Sequence, residues 1–303
     1  MSRIVNGIEI FDKEDFFLLA SCNAPVAVNH VKNEKTLGHM HTHDFHELTT
    51  VLDGSGRYLY QGEVYSLNPG DTFITPAGEK HHYCEQHNLS LMNFIWYPDK
   101  LPVAESTLNQ IPGFRAFFDL EPQSRSVLRF EHRLVLMPEQ TSSIQMFYHR
   151  IKKELSERAD GFQMASGLIF TELLITVSRF FSEQKSSRKN NNNDLQKLGN
   201  VLTYLDANYM NNVSRRKAAK IHGSSETTFS RSFKRIMAES FFDYLLNLRL
   251  QHARKMLLES NSTISEIASS CGFCDSNYLC YRFRLKFGVS PHQFRLSCRK
   301  KDF

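Results

Sequence analysis

Four side chains in the first third of the chain are spaced for chemistry. His41 and His43 stand two apart, Glu47 follows four later and His81 lies downstream, and seven of the 13 histidines fall between His39 and His87. Side chains alternate between the two faces of a strand, so positions 41, 43 and 47 point one way and can converge inside a barrel. Three imidazoles and a carboxylate suit Fe, Mn, Ni or Zn. The same polar groups hydrogen-bond the hydroxyls of a small ligand, with an aromatic such as Tyr58 or Trp96 stacking on its face. A third reading makes them satisfied histidines of a core. Ligand contact is the reading adopted, with no metal and no cofactor; His39, His82 and His87 have no assigned partner and are expected on the surface.

A second concentration lies at the other end. RRKAAKIHGSSETTFSRSFKRI (215–236) and TISEIASSCGFCDSNYLCYRFRLKFG (263–288) are two copies of one pattern. Each has an alanine four before a glycine (Ala219 and Gly223, Ala268 and Gly272), then two apolar residues four apart (Phe229 and Phe233, Leu279 and Phe283). Two steeply crossing helices need a small residue where they approach and a glycine that takes the tight turn. The apolar pair then holds the second helix to the first and leaves its other face polar. That is the demand of a helix-turn-helix, made twice. Between the copies, FFDYLLNLRLQHARKMLLES (241–260) reads as a rigid connecting helix, which lets both second helices enter successive major-groove segments about 34 Å apart.

The outward face of the first such helix carries Thr227, Ser230, Arg231 and Lys234. Arginine bonds guanine bidentately and Ser or Thr adapts to several partners. The second helix opens on Asp275 and Asn277, an acceptor for the cytosine amino group and a partner for adenine. Asp275 and Ser276 are equally the residue types that lead at helix N-caps. Arg215, Arg216, Lys217, Arg282, Arg284 and Lys286 suit phosphate, where most protein–DNA contacts fall. Cys271 and Cys274 form a CxxC, but no second pair of metal ligands exists in this half, and turn and packing already explain it.

These residues sit in three textures. From about residue 24 to 135, short β-rich runs alternate with Gly, Pro, Asn and Asp, which predicts a small all-β barrel or sandwich. From Pro138 to Glu183, Ile144, Phe147, Tyr148, Ile151 and Leu155, then Leu168, Leu173, Leu174 and Val177, recur at helical spacing and predict two helices, packed on the barrel or in a dimer interface. SSRKNNNN (186–193) has no apolar anchor and reads as a linker. The expected domains are therefore a sensing barrel over 1–137, a helical dimerisation segment over 138–185, the linker, and an all-α DNA-binding domain over 194–303. Charge divides the same way: residues 1–185 carry a net −6 and residues 194–303 a net +9. Such asymmetry points the basic part at a polyanion.

With 41% apolar and 23% charged residues, 24 Phe and 11 Tyr, wholesale disorder is excluded. No apolar run is expected to reach the roughly 20 residues of a membrane span. The opening MSRIVNGIEIFDKEDFF breaks its apolar residues with charges, unlike a secretory leader, and six scattered cysteines make no disulfide framework. A cytoplasmic protein is expected.

The C-terminal region resembles the DNA-binding domain of the AraC/XylS family of bacterial transcription regulators. The likeness runs from Arg249 and Leu250 through Ala253, Leu257, Ile264, Ile267, Ala268, Gly272, Phe273, Leu279 and Phe283 to Gly288, Ser290 and Pro291. The runs HTHDFHEL, IPGF and CGF-x-DSNY extend it to the rhamnose-responsive branch, and Gly38, His41, His43, Glu47 and Gly54 with Gly70, Pro76, Gly78 and His81 resemble the two cupin motifs. The resemblance implies a multidomain α and β protein: a cupin-like β-barrel that senses a sugar, rhamnose or a related deoxysugar, and two helix-turn-helix units. It further implies a homodimeric activator that contacts RNA polymerase, with base contacts at Thr227, Ser230, Arg231, Asp275 and Asn277. At positions matching Thr227 and Ser230 the rhamnose regulators tend to carry arginine, so their operator sequence does not carry over to this chain. The competing class is a metal-dependent cupin enzyme, a dioxygenase or sugar isomerase, with an incidental basic tail; the regulator reading, without enzyme activity, is the one adopted.

Overall fold

The computed structural model describes residues 3–5, 8–11, 23–32, 39–128, 133–184 and 192–299. Contacts divide the chain into two compact units, 1–199 and 200–303. The predicted linker, 186–193, lies up to residue 191 outside the described residues.

In the first unit the strands are β1 (Arg3–Val5), β2 (Ile8–Phe11), β3 (Val26–Lys32), β4 (His41–His43), β5 (His46–Tyr60), β6 (Glu63–Leu67), β7 (Asp71–Thr75), β8 (His81–Trp96) and β9 (Leu134–Val135). They form one sheet in the order β1-β2-β4-β8-β5-β7-β9, with β3 also on β8 and β6 on β5. Among the described residues this sheet has two ends, so the expected closed barrel is an open, cupin-like sheet. Its spine is the antiparallel β5–β8 ladder, from His46 opposite Trp96 to Tyr60 opposite His81, with register shifts between Val51 and Arg57. There the strand backbones crowd: a Cβ on Gly54, whose φ is +76°, would lie 2.2 Å from Asn88 O. Only glycine fits that bulge.

The shifts change which positions face inward. Val51 packs with Tyr58, Tyr60, Tyr65, Leu67, Phe73, Tyr83, Leu89 and Leu91 in one buried cluster. Odd positions therefore face that interior before the bulges and even ones after. The opposite face is covered by two long helices, the 3.6-period segment expected there: α2 (Pro138–Glu157) and α3 (Phe162–Glu183), which follow a shorter helix, α1 (Glu121–Leu128). Phe94 packs on Tyr148 and Phe170, and Trp96 on Phe118 and Phe170. By length and composition α3 could cross a membrane, contrary to the sequence expectation, but half of its apolar window is buried within the unit. Gly113 of the IPGF run approaches α3 so closely that a Cβ would meet Ser178 O at 2.1 Å.

The second unit holds α4 (Asn192–Asn208), which straddles the boundary, then α5 (Arg215–His222), α6 (Glu226–Met237), α7 (Phe241–Glu259), α8 (Ile264–Ser270), α9 (Ser276–Phe287) and α10 (Pro291–Arg299). The two copies are the pairs α5–α6 and α8–α9, and the connector is α7, as the pattern requires. Caps set the boundaries: Ser214, Ser225, Ser240, Thr263 and Asp275 each accept a bond from the backbone N–H three residues on. Ala219, Phe229 and Phe233, and Ala268, Leu279 and Phe283, are all buried. Arg249 donates from α7 to the carbonyls of Tyr209 and Asn211, tying the connector to the segment before α5.

The two turn glycines differ. Gly223 (φ +68°) has open space where a Cβ would go, whereas at Gly272 (φ +77°) a Cβ would lie 2.7 Å from Met210 O and 2.8 Å from Tyr209 O. Gly223→Ala is expected to cost about 1–2 kcal/mol, the left-handed strain of an L residue. Gly272→Ala must cost more, because a steric clash with backbone is added. Urea unfolding of the two full-length variants checks this; equal costs would show that the second turn yields freely.

Candidate functional site

The histidines converge where three strands meet. His41 and His43 lie on β4, His81 stands opposite both His41 and Tyr60, and Glu47 enters β5 opposite Thr75. His41 and His81 rings are 4.0 Å apart and His43 and His81 rings 5.0 Å. Glu47 Oε2 lies 3.7 Å from His43 Nε2 and 3.9 Å from His81 Nε2. All four side chains are buried, His81 completely. Tyr58 closes one side: its hydroxyl bonds Thr75 Oγ1 at 2.8 Å and its ring lies 5.9 Å from that of His81.

Each histidine has its Nδ1 against a backbone carbonyl: His41 on His39 O, His43 on Phe45 O and His81 on Glu79 O. A carbonyl only accepts, so Nδ1 carries the proton and Nε2 keeps a lone pair. The Nε2 atoms of His43 and His81 are buried with no hydrogen-bond partner. His43, Glu47 and His81 offer one donor atom each within 4.8 Å of one another, a geometry able to hold a metal ion. Burial holds the His41 and His81 imidazoles below their ordinary pKa, so both are neutral at neutral pH.

Trp96 does not join this group. His46 is opposite Trp96 and Glu47 opposite Ile95, so the indole shares a face with His46 and points away from Glu47 into the helix-covered side. Of the histidines expected at the surface, His39 and His87 are exposed and His82 is half-buried. Sequence reasoning missed Thr75 and the ion pair behind it. Arg125 on α1 is fully buried, bonds Glu121 through Nε at 2.9 Å and Ile74 O at 2.8 Å, and lies 4.6 Å over the Tyr60 ring. The only signal was a Glu–Arg pair at i, i+4, a pattern that ordinarily marks an exposed helix face.

In the second unit Thr227, Arg231 and Lys234 are exposed along one face of α6. Ser230 is half-buried and its hydroxyl donates to Glu226 O. On α9, Asn277 and Arg284 are exposed and Arg282 is half-buried. Asp275 caps α9: its Oδ1 accepts from Tyr278 N at 2.7 Å, and that bond holds the carboxylate below its usual pKa. Aligning Phe229 with Leu279 sets Arg231 beside Tyr281, which is 61% exposed and which sequence reasoning passed over. A cavity of about 580 Å³ opens at the start of both α5 and α6, lined by Arg216, Lys217, Lys220, Ser224 and Ser225 among others. Arg215 is paired with Glu226 at 3.0 Å. The CxxC is no ligand pair here: Cys271 is buried, its thiol pushed up to about 11 by burial, while Cys274 is exposed.

Residues 33–144 match the AraC-like ligand binding domain and residues 218–297 match a helix-turn-helix domain, together nearly two thirds of the chain. The chain thus joins an AraC-like ligand binding domain to a helix-turn-helix domain. Among its relatives is the HTH-type transcriptional activator RhaR of Enterobacter sp. (strain 638), 27% identical over 96% of this chain and 98% of that protein. The RhaR of Escherichia coli O1:K1 / APEC is 29% identical over 96% and 97%. A solved AraC-type DNA-binding domain protein from Chromobacterium violaceum is 27% identical over 36% of this chain and 96% of that one, with a TM-score of 0.34. With a ligand-binding unit and a tandem helix-turn-helix unit, it is a ligand-responsive, DNA-binding transcription regulator.

The buried imidazoles give this regulator a pH dependence. His41, His81 and His46 all have pKa values lowered from 6.5 by burial, His46 to about 4. Below 6.5 the unfolded chain takes up protons that the folded one refuses, so their contribution is intact above 6.5 and lost as pH falls. The melting temperature of chelator-treated protein is expected to drop between pH 7 and pH 5, and the drop to shrink in His46→Gln. A flat profile over that range would contradict the neutral, buried state of these rings.

Proposed function

We propose that the chain is a cytoplasmic activator of sugar-utilisation genes, switched by rhamnose or a related deoxysugar. Its end-to-end alignment with activators named RhaR carries this reading, since both units and their order are shared. The effector is held by His41, His43, Glu47, Tyr58 and His81, whose polar atoms converge in the first unit. Because these groups are buried, the effector enters only as the open sheet parts around them, and it shifts the protein toward whichever state it binds better. No catalytic step is part of the function.

The domains assigned are the sensor over 1–137, the dimerisation helices over 138–185, the linker over 186–193 and the DNA-binding domain over 194–303. Exposed Met146, Met164 and Leu168 on α2 and α3 support dimerisation there. In the major groove, Thr227, Ser230 and Arg231, with Lys234 on the same face, meet one segment and Asp275 and Asn277 the next, while Arg282 and Arg284 hold phosphate. Arg216 and Lys217, with the backbone N–H groups at the start of α6, seat a phosphate. RNA polymerase is the partner of the DNA-bound form.

Arg231→Ala is expected to weaken operator binding by about 1–3 kcal/mol and relax preference at one base position. Arg284→Ala should weaken binding evenly across sequences and flatten its salt dependence. Binding titrations on a randomised operator library at two salt concentrations separate them, and a changed base preference in Arg284→Ala would reverse that sorting. A sugar at 100 times its dissociation constant should stabilise the protein by about 2.7 kcal/mol. A thermal-shift panel that finds no sugar active would remove the sugar from this reading. Leu168→Glu should turn a dimer into a monomer by light scattering; a wild-type monomer would refute the interface.

A further inference from the structure

We propose that Asn29, Thr49 and Asn93 form a second polar rung of the effector site, one that selects neutral, hydroxyl-bearing sugars against sugar acids. The assignment rests on the sugar reading of the first unit and adds three residues to it. It starts from two carboxamide oxygens, Asn29 Oδ1 and Asn93 Oδ1, that are buried with no hydrogen-bond partner. Asn93 is 4% exposed and Thr49 is fully buried. An unanswered buried acceptor is costly, and native structures rarely keep one without a reason. Register sharpens the point. Asn29 on β3 stands directly opposite Asn93 on β8, and Asn93 directly opposite Thr49 on β5. Facing side chains lie about 4.5–5.5 Å apart at Cβ, close enough for two amides to bond each other. These two do not: neither Oδ1 accepts from the facing amide.

The rung faces the interior that the effector residues line. Glu47, Thr49 and Val51 share one face of β5 before the bulges, and Val51 packs in the cluster that holds Tyr58 and Tyr83. Thr49 Oγ1 lies 3.5 Å from the Tyr83 hydroxyl. Thr49 and Asn93 are therefore one step beyond Glu47 along this face, two residues or about 7 Å. A single sugar ring with its hydroxyls bridges the two levels. The next rung, Val31, Leu91 and Val51, is apolar, so the polar band ends at the asparagines. Asn29 is half-buried, so the band runs inward from the flank of the sheet. A carboxamide oxygen accepts and its nitrogen donates, whereas a hydroxyl does both. Two adjacent sugar hydroxyls therefore meet one asparagine through oxygen and nitrogen at once. A sugar acid brings a carboxylate instead, which has no proton for Oδ1 and meets the Glu47 carboxyl one step away. The competing occupant is a buried water bridging the two amides.

The test is isothermal titration of the full-length protein with rhamnose and related deoxysugars. Whichever sugar binds is then compared with its monodeoxy analogues and with the uronic acid of the same ring. In wild type, loss of one ring hydroxyl, or the acid, should weaken binding about tenfold or more, because buried polar groups are left unpaired. Asn93→Ala and Asn29→Ala should each raise the dissociation constant about tenfold. In Asn93→Ala the penalty for one monodeoxy analogue should also vanish. That readout separates contact with the sugar from a structural role, which would leave every analogue's penalty as it is in wild type. Unchanged affinity in both variants, unchanged analogue penalties in Asn93→Ala, or an acid that binds as tightly as the sugar would each overturn the assignment and leave the sugar reading in place. If no sugar binds wild type, the sugar reading falls and this assignment with it. If Asn93→Ala fails to fold, the half-buried Asn29→Ala, titrated with the same analogues, decides.

Discussion

The β5–β8 ladder is the constraint on which the sensing unit depends. It decides, residue by residue, what faces the interior and what faces the helices. Before the bulges Glu47 and Val51 point inward; after them Tyr58 and Tyr60 do, although a strict period of two would put the two sets on opposite faces. Gly54 makes this possible, because the backbone of Asn88 leaves no room for a Cβ. The same ladder turns Phe94 and Trp96 outward, where α2 and α3 cover them.

A polar interior of this kind is stable only if its groups are answered. Thr75 answers Tyr58, and carbonyls answer the Nδ1 atoms. Glu121 neutralises Arg125, whose guanidinium also lies over the Tyr60 ring. A buried charge kept by one partner is expensive to break and specifies a geometry more than it adds stability. The Nε2 lone pairs of His43 and His81 stay buried in this interior without a hydrogen-bond partner.

The DNA-binding unit solves a different problem. Each copy buries the alanine four before its glycine and an apolar pair four apart, and each helix start is capped by a side chain of its own sequence. The polar faces of α6 and α9 are then free for a polyanion, in a half that carries net +9. The copies are not equivalent: the second turn is wedged against Tyr209 and Met210 while the first is open, and Tyr281 stands where Arg231 stands in the first.

By itself the sequence determined what depends on local spacing. Helix periodicity placed α2 and α3 and both helix-turn-helix units, the Ala–Gly and i, i+4 patterns named their buried contacts, and the tandem repeat with its charge gave the DNA-binding function. The spacing of His41, His43 and Glu47 was also legible, whereas His81 comes beside them only through the pairing of β8 with β4. Tertiary structure alone decided what depends on register and on distant elements. Trp96 was misplaced because pairing with His46, not its residue type, fixes its face. Arg125 and Glu121 carry no signal beyond an ordinary i, i+4 spacing, and only the packing of α1 sets them behind Tyr58 and Tyr60. Thr75 carries no signal until β7 sets it opposite Glu47. The barrel or sandwich expected from the β-rich runs is an open sheet for a similar reason: closure is set by which strands pair, and alternation within a strand does not encode its neighbour.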